Sequence, residues 1–134
     1  MSASTTRQVI EHPSKAPITA IGSSVIVSGH LVFMAGAIGV DEAGNWVEGT
    51  VQDRAKAAFA RVADRLSVLG LGLEDLLSVT IYLSKYEQDF ADFNEAYSTL
   101  FGVDVAKPCR TCVGVAALPA GTDIEVTCVA AKRG

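Results

Sequence analysis

The chain has 134 residues, 49% of them hydrophobic and 19% charged, with a net charge of −4. That balance excludes a disordered chain, and the length sets a single domain, 1–134, able to bury roughly two-thirds of its unfolded surface. The eleven basic residues are scattered without a stripe to neutralise phosphates, so nucleic acid is not expected as a partner. No wholly apolar run is long enough to span a bilayer, so no membrane is expected either. A mean hydropathy of +0.32 is high for a small soluble domain, and the excess apolar surface points to a homo-oligomer. Three cysteines, an odd number, suit a reducing compartment better than a disulfide framework. Residues 1–17 lack the apolar core of a secretory signal, and Arg7 alone is thin support for a mitochondrial transit peptide. The expected location is the cytoplasm.

In chain order, residues 1–17 are polar, hold Pro13 and Pro17, and read as a loose N-terminal arm. Ser23-Ser24-Val25-Ile26-Val27 reads as a first strand and Ser28-Gly29-His30 as a turn. Leu31-Val32-Phe33-Met34-Ala35 is a second strand whose unbroken apolar run suggests burial on both faces. Gly36 and Gly39 follow, where a backbone can bend or approach a ligand. Asp41 to Asn45 is turn chemistry, with Asn45-Trp46-Val47 as a short return strand. Thr50 and Asp53 make an approximate capping box for a helix whose Ala55, Ala58, Phe59, Val62, Leu66 and Leu69 share a face, stopped by Gly70. Val79, Ile81 and Leu83 alternate with Ser78, Thr80 and Tyr82 in a half-buried strand. Asp89 is placed to cap a second helix, with Phe90, Phe93, Tyr97, Leu100 and Phe101 on one face and Gly102 at its end. Strands at 110–115 and 124–130, joined by a turn at 118–121, complete the chain. Two helical stripes need one sheet face, so the fold class is α+β, one mixed β-sheet with two helices on one face.

Most of the chemistry lies in Lys107-Pro108-Cys109-Arg110-Thr111-Cys112-Val113-Gly114-Val115-Ala116-Ala117-Leu118-Pro119. Its Pro-Cys-x-x-Cys is half of a zinc-deaminase signature, which also needs a His-x-Glu for the third ligand and the proton shuttle. His12 is followed by Pro13 and Ser14, and His30 by Leu31 and Val32, so that half is missing. In a strand, Cys109 and Cys112 point to opposite faces. Neither a metal nor a redox disulfide is therefore expected, and the thiols read as packing. Arg110, among Cys109, Thr111, Cys112 and Val113, reads as a sheltered guanidinium that needs an anion, and its planar fork suits a carboxylate. Glu125 is the candidate neighbour, on a strand joined to that of Arg110 by a short turn. Two roles stay open on the residues alone. Arg110 and Glu125 could form a structural pair, or Arg110 could hold a substrate carboxylate while Glu125 handles a water.

The same stretch, followed by Ile124-Glu125-Val126, resembles the C-terminal signature of the Rid/YjgF enamine/imine deaminases. Phe93-Asn94-Glu95-Ala96-Tyr97 with Leu100-Phe101 looks like that family's second helix. Phe33-Met34-Ala35-Gly36-Ala37-Ile38 looks like its Ser-Gly-Gln-Ile segment, with Ala35 and Ala37 in place of Ser and Gln. The likeness runs over residues 16–132. It implies a chorismate-mutase-like fold, a homotrimer with clefts between subunits, and no metal or organic cofactor. It also implies hydrolysis of 2-enamine/2-imine acids (2-aminoacrylate, 2-iminopropanoate, 2-iminobutanoate) to 2-keto acids and ammonia. Position by position, it makes Arg110 the holder of the substrate carboxylate and Glu125 the residue that positions water. Gly36 then supplies backbone contact, and Asn94 and Cys112 line the cleft. Where the family reads Ile-Gly-Pro-Tyr, this chain reads Ile21-Gly22-Ser23-Ser24, so Ser24 takes the tyrosine's place as a substrate-binding residue. Two other readings come with the resemblance: a non-catalytic trimeric binder of small carboxylates, as sensor or holdase, and a translation-inhibiting endoribonuclease, which the acidic charge disfavours.

Overall fold

The structure, a computed structural model, describes residues 7–13 and 22–134. It opens with three strands, β1 (Arg7–Ile10), β2 (Val25–Ser28) and β3 (Leu31–Ile38). Helix α1 (Val51–Ser67) leads to β4 (Leu76–Leu83), α2 (Tyr86–Ser98) to β5 (Cys109–Gly114), and the chain ends in β6 (Ile124–Ala131). The six strands lie in one sheet in the order β1-β2-β3-β6-β4-β5. The β4–β5 pair is parallel, which a strand–helix–strand crossover requires, and the other pairs are antiparallel. α1 packs on β3 and β6, α2 on β4 and β5, and the helices touch each other. The expected architecture of two helices on one face of a mixed sheet is the one found.

Period-two alternation builds the core. In β6, Ile124, Val126, Cys128 and Ala130 are buried under the helices, while Glu125, Thr127 and Val129 point to the other face. Phe59 and Leu66 of α1 and Phe93 and Tyr97 of α2 close the layer from above. Burying each phenylalanine contributes about 2–3 kcal/mol. α1 starts with the capping box read from the sequence. The Thr50 N–H donates to Asp53 Oδ2 at 2.9 Å, and the Asp53 N–H donates to the Thr50 hydroxyl at 3.4 Å. The Thr50 N–H and hydroxyl, both donating to Asp53 Oδ2, hold the Asp53 carboxyl below the usual range. At the other end the Leu71 N–H reaches back to the Leu66 carbonyl at 3.0 Å, a turn that needs the positive φ of Gly70.

Four expectations are corrected. Arg7–Ile10, inside the stretch read as a loose arm, is strand β1, in register with β2 from Arg7↔Ser28 to Ile10↔Val25. Main-chain pairing to an open sheet edge orders it, a signal that polar side chains do not carry. Residues 14–17 of that arm lie outside the described residues. β3 is not buried on both faces: Val32 and Met34 are covered, but Leu31 is 40% and Phe33 45% exposed, because a single helix layer covers one face only. Asp89 does not cap α2. The helix begins at Tyr86 behind Lys85, directly after Leu83-Ser84, so Asp89 falls inside its first turn and is buried. Burial, with Asp123 nearby, raises its pKa. The return strand near Trp46 reduces to a single bridge, Val40↔Trp46.

A polar cluster ties this hairpin to the core. Arg54 forks Asp123 through Nε and Nη2, both at 2.8 Å, donates Nη1 to the carbonyls of Val47 and Gly49, and stacks 4.7 Å from the Trp46 ring centre. The two charged side chains are only 12% and 10% exposed. Removing one partner strands the other charge. Asp123→Ala is expected to cost about 3–5 kcal/mol, read as a lower urea midpoint with an unchanged m-value. A loss within experimental error would show that water already screens the pair.

Candidate functional site

β5 is an edge strand, and its residues alternate between the helix side and the outer side of the sheet. Arg110 stands beside Val79, a buried residue of β4, and therefore faces α2. Three groups of α2 fix its guanidinium. Nη2 donates to Asn94 Oδ1 at 2.7 Å, and the planar carbon sits 4.7 Å from the Tyr97 ring centre and 5.6 Å from that of Phe93. No carboxylate of the described residues forms an ion pair with it. The half-buried arginine is thus oriented by rings and an amide, with most of its fork unspent. Cys112, two residues on, shares its face. Burial raises the Cys112 pKa, against the pull of the Arg110 charge, so it lines the site as a neutral thiol. Cys109 is exposed on the opposite side of the strand, and the two thiols diverge as strand geometry demands.

Glu125 occupies the outer face of β6, between Ile38 of β3 and Tyr82 of β4. A β-bulge falls between Met34 and Ala37, and it brings Gly36 against the glutamate. A Cβ at Gly36 would lie 2.8 Å from Glu125 Cδ, so glycine is what lets that carboxylate rest on the β3 backbone. The carboxylate makes no hydrogen bond or ion pair to another described residue. Gly36 and Glu125 form one unit, and Arg110, Asn94 and Cys112 form another.

A single chain does not bring the two units together. The expected hairpin between the strands of Arg110 and Glu125 is absent, because β4 lies between β5 and β6. The α2 crossover sets β5 on the outer edge of β4, and β6 then takes the inner edge. Arg110, level with Val79, and Glu125, level with Tyr82, are therefore two strand spacings apart across the sheet and three residues apart along it, about 14 Å in all, and on opposite faces. Ser24 is farther still. It precedes β2, accepts from the Ala35 N–H at 2.9 Å, and has three strands between it and β5. In the sequence, Phe93 and Tyr97 show only as members of one apolar helix face. Their spacing on either side of Asn94 is the signal that could have marked a platform for a cation.

The fold and these units define a small α+β domain with an arginine at a sheet edge that has no carboxylate partner among the described residues. Comparisons with known proteins specify it. The model of a family described as endoribonuclease L-PSP matches residues 14–132, and the chain belongs to that family, the Rid/YjgF proteins. It is 34% identical over 129 residues to the 2-iminobutanoate/2-iminopropanoate deaminase of Rattus norvegicus, a match covering 94% of this chain and 90% of that protein. It is 36% identical over 104 residues to Protein HMF1 of Saccharomyces cerevisiae, covering 78% of each. It superposes on E. coli TdcF with bound serine at a TM-score of 0.83 and 27% identity, over 94% of this chain and 99% of the other.

Proposed function

We propose that the protein hydrolyses small 2-imino acids to 2-keto acids and ammonia, in clefts between the subunits of a homotrimer. The observation that carries this reading is the unspent guanidinium of Arg110, oriented by Asn94, Tyr97 and Phe93 without a carboxylate partner. A substrate carboxylate supplies the missing anion. The rat relative's name and the serine bound in E. coli TdcF are consistent with a small amino-acid-like ligand.

The two separated units explain why a second copy is needed. Groups acting on one substrate must come within hydrogen-bond reach of it, and Arg110 and Glu125 of one chain cannot. The outer face of the sheet carries Glu125 together with exposed Leu31, Phe33 and Leu77, an apolar surface suited to a neighbouring subunit. A neighbour covering it with the edge of β5 would join its Arg110 to this Glu125. In such a cleft the carboxylate of the imine is clamped on Arg110 and a water is held by Glu125. The water oxygen attacks C2 while Glu125 accepts one water proton and passes it to the imine nitrogen, and a neutral carbinolamine forms. Glu125 then takes the hydroxyl proton and delivers it to the same nitrogen, the C–N bond breaks, and ammonia leaves as the C=O forms. The imine carbon is already electrophilic, so orientation and a proton route suffice, worth several kcal/mol in a sheltered cleft.

The test generates 2-iminopropanoate or 2-iminobutanoate in place with an amino-acid oxidase and follows keto-acid release. The protein is expected to accelerate release, and Glu125→Gln to lower kcat about 100-fold with little change in KM. Release no faster than in buffer would remove the enzymatic reading and leave a carboxylate binder.

A further inference from the structure

A cavity of about 620 Å³ lies at the far end of the sheet from Arg110, between α1, the end of β1, the start of β2 and the 40–44 turn. Much of its wall is aliphatic, from Ile10, Val25, Val40 and Val68, and Ser24 also lines it. Two arginines one helical turn apart, Arg61 and Arg65, supply its positive charge. Arg65 gives Nη1 to the Ala35 carbonyl in the β3 bulge at 2.6 Å. Burial and the neighbouring Arg61 charge lower its pKa. Arg61 is less satisfied: its Nε and Nη1 are buried and find no acceptor among the described residues.

An N–H buried without a partner costs about 1–3 kcal/mol, so the absence of an acceptor calls for a reason. The nearby acids do not provide one. Asp64 lies 3.3 Å from His12 Nε2, and Asp41 accepts the N–H groups of Ala43 and Asn45, both at 2.9 Å, within its own turn. Glu11 and Glu42 are exposed at the rim.

We propose that this cavity is a second ligand site, binding a small aliphatic carboxylate with its acid group on Arg61 and Arg65 and its chain against the valines and Ile10. The acidic rim favours a ligand that also carries an ammonium group, an aliphatic α-amino acid, over the 2-keto acid of the same chain. The site would let the protein sense an amino acid at a distance from the Arg110 cleft, and it does not depend on the reaction proposed there.

Calorimetry with leucine and with 4-methyl-2-oxopentanoate, on wild-type, Arg110→Ala and Arg61→Gln protein, tests it. Leucine is expected to bind wild-type and Arg110→Ala alike, the keto acid more weakly, and Arg61→Gln to lose about tenfold or more in affinity. Keto-acid binding as tight as leucine's, lost in Arg61→Gln, would keep the carboxylate site and assign it to the keto acid. Absence of binding by both at millimolar concentration, or binding lost in Arg110→Ala and kept in Arg61→Gln, overturns the proposal. Thermal unfolding without ligand is the second measurement. Arg61→Gln should melt no lower than wild type, because it relieves buried N–H groups. A clear drop would make Arg61 a structural residue and end the proposal.

Discussion

Arg110→Ala is expected to slow keto-acid release from 2-iminopropanoate by about 100-fold in kcat/KM, the equivalent of about 3 kcal/mol of charge-assisted bonding to the substrate carboxylate. The fold should survive. Arg110 stands on an edge strand, makes one hydrogen bond among the described residues, to Asn94, and lies against Phe93 and Tyr97, which also pack on each other and, through Tyr97, on Phe59 and Phe101. Losing those contacts costs about 1 kcal/mol of stability. Arg110→Lys separates charge from geometry. A lysine keeps the positive charge but cannot present a planar fork, so about a tenfold loss is expected, between wild type and alanine. Wild-type turnover by the alanine variant would show that the substrate is held elsewhere.

Mixing two inactive proteins should restore activity. Arg110→Ala lacks the proposed carboxylate holder and Glu125→Ala the proposed water-positioning group, and in one chain these groups lie on opposite faces of the sheet with β4 between them. In the proposed closed ring each cleft would take its arginine from one subunit and its glutamate from the next. With equal mixing, half of the arginines and half of the glutamates are intact and are paired at random. About one quarter of the clefts in the whole mixture then have both, and in a mixed trimer one cleft of the three, so about one third of wild-type activity should return in the isolated mixed trimers. Co-expression with two different tags, followed by sequential purification, isolates the mixed oligomers. Mixed oligomers that stay inactive would sink the inter-subunit reading.

The sequence alone determined the elements and the chemistry of the individual residues. Helical spacing from Ala55 to Leu66, the Thr50–Asp53 box and the alternation of Val79, Ile81 and Leu83 are local patterns, and the structure reproduces them. The divergence of Cys109 and Cys112 followed from strand geometry in the same way. The local motif around Arg110 was specific enough to indicate the family. What it could not determine was adjacency. Arg110 and Glu125 looked like neighbours because few residues separate their strands, yet β6 pairs with β3 and β4 and leaves β5 at the edge. Strand order is decided by which sheet edges remain open once the α2 crossover is in place, and no short stretch of chain encodes that. The roles of Tyr97 and Phe93 under Arg110, the ordering of Arg7–Ile10 by an open sheet edge, and the meeting of Arg61 and Arg65 with the start of β2 are tertiary outcomes for the same reason. Each depends on contacts between segments far apart in sequence, made only when the sheet and its helices pack.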